Sequence, residues 1–179
     1  MIKVSEVKTY APKEYKNALH KAIYEKLTEL EIPFERVDND AAVTMEDCIA
    51  INERLNVKTV KTLFLCNRQQ TSFYLFVTPG DKPFVTKNFS HTLGISRVSF
   101  APSEKLFEML QTPVGATTAL SLLLDSESKI PLVIDSEIMK YEYYGCTDGT
   151  TTGYMRIKLC DLVEKYLPAI NHEPIIIEI

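Results

Sequence analysis

Val60-Lys61-Thr62-Leu63-Phe64-Leu65-Cys66 and the later Ser72-Phe73-Tyr74-Leu75-Phe76-Val77-Thr78 decide the fold class. Both runs are rich in aromatic and β-branched residues, and the polar turn Asn67-Arg68-Gln69-Gln70-Thr71 between them predicts a β-hairpin. Upstream, Tyr15, Leu19, Ala22, Ile23, Leu27 and Leu30 fall at helical spacing, which predicts an amphipathic helix from Lys13 to Glu31 stopped by Pro33. Phe34 to Val37 reads as a short strand. Thr44 with Glu46 and Asp47 reads as a helix start, a hydroxyl cap with acids at the positive end of the dipole, for a second helix reaching Leu55. Downstream come a short helix at Lys87–Leu93, a strand at Arg97–Ala101 and a helix at Ser103–Leu110. A loop at Thr112–Thr118 leads into the apolar run Ala119–Leu124. Pro131–Ile134, Tyr141–Tyr144, Tyr154–Ile157 and Ile175–Ile177 read as strands, and a last helix from Leu159 is expected to stop at Pro168. Helices and strands mix irregularly without repeats or a linker, so the expectation is one α/β or α+β domain over residues 1–179 with a mixed sheet.

Composition excludes several classes. With 45% hydrophobic and 25% charged residues the chain can bury a core. It holds no run of about 18 apolar residues that would span a bilayer. Met1-Ile2-Lys3-Val4-Ser5-Glu6 lacks the pattern of a secretory signal, so a cytoplasmic location is expected. Cys48, Cys66, Cys146 and Cys160 form no C-x-x-C pair, and His20, His91 and His172 are scattered, so neither a metal site nor a disulfide framework is expected. No H-E-x-x-H or G-x-S-x-G motif, nucleophile–histidine pair or carboxylate cluster appears.

Net charge is −4, yet its distribution is uneven. From Arg54 to Arg97 seven cations (Arg54, Lys58, Lys61, Arg68, Lys82, Lys87, Arg97) face one acid, Asp81. Such asymmetry can focus a polyanion onto one face, although solvated lysines spread over several surfaces give the same count. Lys61 is the most unusual of the seven. Strand alternation puts Lys61, Leu63 and Leu65 on one face and Val60, Thr62 and Phe64 on the other. A lysine sharing a face with leucines either meets an anion or serves as an edge-strand charge that blocks aggregation. Gly115 lets the backbone approach a ligand, with the amides of Ala116 and Thr117 able to bind a carbonyl, and an ordinary turn reads the same way. Gly145 to Gly153, with Thr147, Thr150, Thr151 and Thr152, suits either a pocket for a small polar ligand or a surface loop.

Several segments in order carry a resemblance. They are Val60-Lys61-Thr62-Leu63-Phe64-Leu65, Leu93-Gly94-Ile95-Ser96-Arg97-Val98-Ser99-Phe100-Ala101, Thr112-Pro113-Val114-Gly115, Leu132-Val133-Ile134-Asp135 and His172-Glu173-Pro174. Together they resemble the YbaK/prolyl-tRNA-synthetase-associated domain family of trans-editing deacylases, most nearly its freestanding alanyl-tRNA(Pro) deacylase branch. The resemblance runs from about Tyr15 to the C-terminus. It implies a mixed α/β fold around a curved, barrel-like sheet, hydrolysis of misacylated tRNA at its terminal adenosine, and no metal or organic cofactor. The family's key lysine falls on Lys61, and its glycine-led substrate loop on Gly115, Ala116, Thr117, Thr118 and Ala119. Thr150 is a weaker pocket candidate. Lys58, Arg68, Lys82, Lys87 and Arg97 are expected to contact acceptor-stem phosphates. The implied partners are the acceptor end of aminoacyl-tRNA, first of all tRNA(Pro), and prolyl-tRNA synthetase. Departures fall on pocket positions: Ala119 where the family loop usually closes with proline, Thr59 where the branch often has histidine, and Gly145-Cys146-Thr147-Asp148-Gly149-Thr150 in place of a His-Pro…Asn-Thr signature. They bear on which amino acid is taken. A non-catalytic aminoacyl-tRNA or amino-acid binding module and a small-molecule esterase of the same fold are the competing classes.

Overall fold

The computed structural model describes residues 1–179. Two sheets carry the architecture. The larger has the order β4-β2-β3-β5-β8, built from β2 (Val60–Asn67), β3 (Phe73–Pro79), β4 (Val98–Phe100), β5 (Leu132–Asp135) and β8 (Ile175–Ile177). Its β2–β3 and β2–β4 pairs are antiparallel, while β3–β5 and β5–β8 are parallel, so the expected mixed sheet is present. The smaller sheet, order β1-β7-β6, holds β1 (Glu35–Asp38), β6 (Tyr143–Thr147) and β7 (Gly153–Lys158). The two meet at a single parallel bridge between Thr59 and Gly145. The sheet is therefore split open rather than closed as a barrel.

The hairpin alternation read from the sequence positions the core. Val60 and Phe64 join the main cluster between the sheets, with Leu75 and Val77 of β3, Tyr144 and Cys146 of β6, Met155 and Ile157 of β7, and Leu19, Ile23 and Leu27 of α1 (Ala18–Glu29). Leu65 faces the other way, into a smaller cluster with Phe76, Phe89, Val98, Val133 and Ile177, and Leu63 packs against it. α3 (Thr86–Leu93) covers that face through Phe89. Truncating a fully buried member such as Leu75 to alanine costs about 2–5 kcal/mol.

Local chemistry shifts several boundaries. α1 begins at Ala18, not Lys13, because the Asn17 side chain caps it by accepting the His20 N–H at 2.8 Å. α2 (Cys48–Leu55) starts after the expected Thr44. Asp47 instead closes a turn, its carboxylate accepting the N–H groups of Val43 (3.1 Å) and Thr44 (3.0 Å) while Thr44 Oγ1 accepts the Asp47 N–H. α4 (Ser103–Leu110) and a 3-10 helix at Ala119–Leu124 follow. The last helix does not stop at Pro168. A π-helical segment, Leu162–Tyr166, precedes the turn Leu167–Ala169 and accommodates the proline's missing N–H.

One buried carboxylate fastens α1 to the β6–β7 turn. Asp148 Oδ2 accepts from His20 Nε2 (2.8 Å) and the Tyr24 hydroxyl (2.9 Å), and Oδ1 from the Thr150 hydroxyl (2.6 Å) and Thr150 N–H (3.2 Å). His20 Nδ1 accepts the Lys16 N–H at 3.1 Å, which places the imidazole proton on Nε2, facing Asp148. Gly153 is required beside it, because a Cβ there would overlap the Asp148 carboxylate. Burial alone would raise the Asp148 pKa, but hydrogen bonds from His20, Thr150 and Tyr24 outweigh it and hold the carboxyl below its ordinary range. A carboxyl depressed in the folded state stabilises above its unfolded pKa of about 3.9 and loses that contribution as pH falls through the folded value. Asp148→Asn should therefore lower stability at pH 7 and flatten the acid limb of stability against pH, as urea melts between pH 7 and pH 2 would show.

Candidate functional site

Between its two lateral partners β2 borders a cleft of about 440 Å³. Val60–Phe64 form one wall, and Cys146, Thr147 and Tyr154 of the smaller sheet another. Val114, Gly115 and Thr117 close one side, Val43–Met45 and Cys48 a second, and Phe100, Ala101 and Leu106 a third. The opening exists because the sheets diverge after the Thr59–Gly145 bridge while β4 reaches β2 only at Leu65–Asn67.

Lys61 lies at this cleft, half-buried, with its ammonium hydrogen-bonded to the Lys82 carbonyl. It makes no ion pair. Burial pulls its pKa down, and nearby Asp81 only partly opposes this. Lys82 contrasts with it. Its ammonium is 2.8 Å from the fully buried Asp135 and 3.4 Å from Glu137, and the Asp135 hydrogen bond raises its pKa. Of the two neighbouring lysines, only Lys61 presents a positive charge without a carboxylate. It is thus a fixed cation fit for an anion or a developing negative charge.

The Gly115 loop is held from behind. Gly115 has φ +91°, and a Cβ there would come within 2.9 Å of Val43 Cγ1, so only glycine fits between the loop and the Val43 wall. The Thr147 hydroxyl donates to the Ala116 carbonyl at 2.7 Å and accepts the Gly149 N–H at 3.2 Å. The expected division of roles within the loop changes accordingly. The Ala116 N–H is engaged by the Pro113 carbonyl at 3.1 Å, and Ala116, Thr118 and Ala119 are buried outside the cleft lining. Thr118 caps the 3-10 helix through Leu120 N–H, and the Ala119 N–H goes to the Tyr144 hydroxyl at 3.2 Å. Gly115 and Thr117 remain at the cleft, and the Thr117 N–H has no hydrogen-bond partner within the chain. Thr150 is also placed away from the cleft, its hydroxyl engaged by Asp148.

The expected phosphate-binding cations are dispersed. Lys58 is exposed at the Lys61 end of β2, and Arg68 in the turn at its far end. Lys87 is exposed on α3 and Arg97 just before β4, while Lys82 is committed to Asp135. Of the threonines in the Gly145–Gly153 segment offered for a pocket, Thr147 lines the cleft; reading by residue type missed Thr62, Tyr154 and the Val43–Met45 wall. Thr62 was visible only through alternation, and nothing local marks the others.

The titratable side chains lining the cleft are Lys61, Cys48, Cys146 and Tyr154. Burial pushes the Cys146 thiol up to about 12 and raises the Tyr154 phenol, so neither ionises near neutrality. Besides these groups the cleft presents a fixed cation, main-chain amides and hydroxyls.

Residues 39–165 match the family described as the aminoacyl-tRNA editing domain, and the chain belongs to that family. It is 27% identical over 161 residues to prolyl-tRNA synthetase associated domain-containing protein 1 of Danio rerio, covering 89% of this chain and 86% of that protein. It is also 27% identical over 118 residues to prolyl-tRNA editing protein ProX of Acetoanaerobium sticklandii, covering 66% of this chain and 72% of the relative. In fold it resembles the hypothetical protein APE2540, with a TM-score of 0.67 at 19% identity over 86% of this chain and 96% of that one. It also resembles a protein provisionally described as a trans-editing enzyme for prolyl tRNA synthetase, with a TM-score of 0.63 at 14% identity over 91% and 98% of the two chains. No helix is long and apolar enough to cross a membrane.

Thr147→Val keeps side-chain volume but leaves the buried Ala116 carbonyl without its donor. The expected loss is about 1–3 kcal/mol, with faster amide exchange at Ala116 and Thr117, and Thr147→Ser should restore both. Denaturant melts and hydrogen exchange on the three proteins make the check.

Proposed function

We propose that the chain is a trans-acting aminoacyl-tRNA deacylase that hydrolyses the ester of mischarged tRNA, with alanyl-tRNA(Pro) as its first substrate. The observation that carries this reading is Lys61: a half-buried ammonium without a carboxylate partner, at a cleft shared with Gly115 and the free Thr117 amide, in a chain of the editing family. Lys61 holds the negative charge of the terminal nucleotide or stabilises the oxyanion, and Thr117 N–H faces the ester carbonyl. Burial raises the Cys146 thiol and the Tyr154 phenol, and the attacking group is a positioned water or the neighbouring ribose hydroxyl. An aminoacyl ester suits this, because its ammonium already activates the carbonyl. The reaction needs no cofactor in this account. The work takes place in the cytoplasm, on the acceptor end of tRNA, with prolyl-tRNA synthetase as the enzyme whose errors it corrects. Lys58, Lys87, Arg97 and Arg68 supply the phosphate contacts.

Deacylation of alanyl-tRNA(Pro), prolyl-tRNA(Pro) and alanyl-tRNA(Ala) tests the reading. Wild type should release alanine from the first and spare the cognate pairs, and Lys61→Ala should slow release by about 10²-fold or more. Binding of uncharged tRNA without release from any member of a wider panel would instead mark a binding module. Affinity should fall steeply between about 50 and 200 mM salt if several phosphates are neutralised, and a flat salt response would remove those contacts.

A further inference from the structure

β2 has different lateral neighbours at its two ends, and between them it has none. β4 pairs with Leu65–Asn67, and Thr59 bridges Gly145 just before the strand begins. The intervening edge forms the cleft wall. Which main-chain groups face the opening follows from two hydrogen bonds. The Phe64 carbonyl accepts the Ala101 N–H at 2.9 Å, on the side away from β3. The Leu75 N–H, opposite Phe64 in the hairpin, donates away from β2 to the Pro131 carbonyl at 3.0 Å. Residues two apart in a strand send their N–H and C=O groups to the same edge. Thr62, opposite Val77, therefore turns both of its main-chain polar groups toward the cleft and not toward β3.

An aminoacyl ester is chemically a single amino-acid residue, with a donor ammonium and an acceptor carbonyl flanking one Cα. In an antiparallel sheet, two such residues exchange N–H···O bonds in both directions. We infer that the aminoacyl group docks on Thr62 as a one-residue antiparallel β-pairing: its ammonium donates to the Thr62 carbonyl, and its ester carbonyl accepts the Thr62 N–H. This rests on the deacylase reading and extends it to how the amino acid itself is held. Directly opposed residues place their side chains on the same face of a sheet. An L-aminoacyl side chain thus points with Thr62 toward Phe64, Leu106 and Cys146, and a D-isomer points toward Lys61 and Leu63. The Thr62 amide then donates to the carbonyl oxygen where negative charge develops, and Thr117 N–H is the second donor.

The test uses non-hydrolysable 3′-amide analogues of the terminal adenosine carrying L-alanyl or propionyl, the latter lacking only the ammonium. Wild-type protein should bind the alanyl analogue about tenfold tighter or more, as a lost charge-assisted hydrogen bond requires. Thr62→Pro removes one N–H without removing a bond to β3, and should weaken both analogues with little change in their ratio. Equal wild-type affinities for the two analogues overturn the pairing. So does a Thr62→Pro protein with wild-type circular dichroism that binds both as wild type does. If that variant does not fold, the wild-type ratio decides alone. Alanine release by wild type with a ratio of one removes only the pairing, whereas no binding and no release from any charged tRNA removes the deacylase reading with it.

Discussion

Asp148 sits where donors from two distant parts of the chain converge, and the position of the cleft follows from them. A carboxylate taken out of water costs several kcal/mol unless it is fully hydrogen-bonded. His20 and Tyr24 of α1 supply two of the donors and Thr150 of the β6–β7 turn the rest. Docking α1 and forming that turn are consequently one event, because either alone leaves a buried charge under-satisfied. Thr147 precedes Asp148 directly, so fixing the carboxylate also fixes the hydroxyl that holds the Ala116 carbonyl. The Gly115 loop inherits its place from a network centred on the other side of the sheet. This coupling also explains why Gly149 and Gly153 flank the network: neither position has room for an unobstructed Cβ.

The cleft itself is an absence of pairing that the topology imposes. A parallel bridge at Thr59 and an antiparallel ladder beginning at Leu65 approach β2 from opposite strand directions, and no single neighbour can satisfy both. The segment between them keeps its ladder to β3 and leaves its other edge open. Lys61 is positioned by the same arrangement. Alternation puts it on the Leu63 and Leu65 face, the Lys82 carbonyl steadies its ammonium, and Asp135 binds Lys82 and does not reach Lys61. The protein thereby pairs one of two neighbouring lysines with carboxylates and leaves the other without an ion pair.

Much of this was legible in the sequence, for identifiable reasons. The hairpin could be read because aromatic and β-branched residues have a strong strand preference, and period-2 alternation assigned Lys61 and Val60 to the correct faces. The mixed sheet followed from irregular element order. Boundaries at Asn17 and Asp47 were missed because short polar side chains cap and turn with the same chemistry, and only their partners distinguish the two. Gly115 and Thr117 of the expected loop border the cleft, whereas Ala116, Thr118 and Ala119 are buried away from it. That Ala116 is occupied and Thr117 free depends on Pro113 and Thr147, contacts that no local pattern encodes. Thr150 was read as a pocket residue from its type, whereas burial beside Asp148 gives it a structural role. The Val43–Met45 wall lies far from the β2 motif in sequence and carries no signature of its own.

The cleft's chemistry constrains what this fold can do well. Burial raises the Cys146 thiol and the Tyr154 phenol, so neither is an ionised nucleophile near neutrality. For the proposed deacylase, rate would come from holding an already reactive ester against fixed donors, and fixed donors favour the charge distribution of the transition state only when the acyl group is correctly seated. Seating then becomes the discriminating step. A pocket that reads side-chain size alone separates neighbours by about 10–200-fold per methylene. A main-chain edge that also read the ammonium and carbonyl, as inferred for Thr62, would fix where the side chain must go, so a poorly fitting side chain would displace the carbonyl from its donors. Misfit then lowers the rate of the chemical step as well as affinity. Such coupling would suit the proposed hydrolase, which would have to spare correctly charged tRNA while working in its presence.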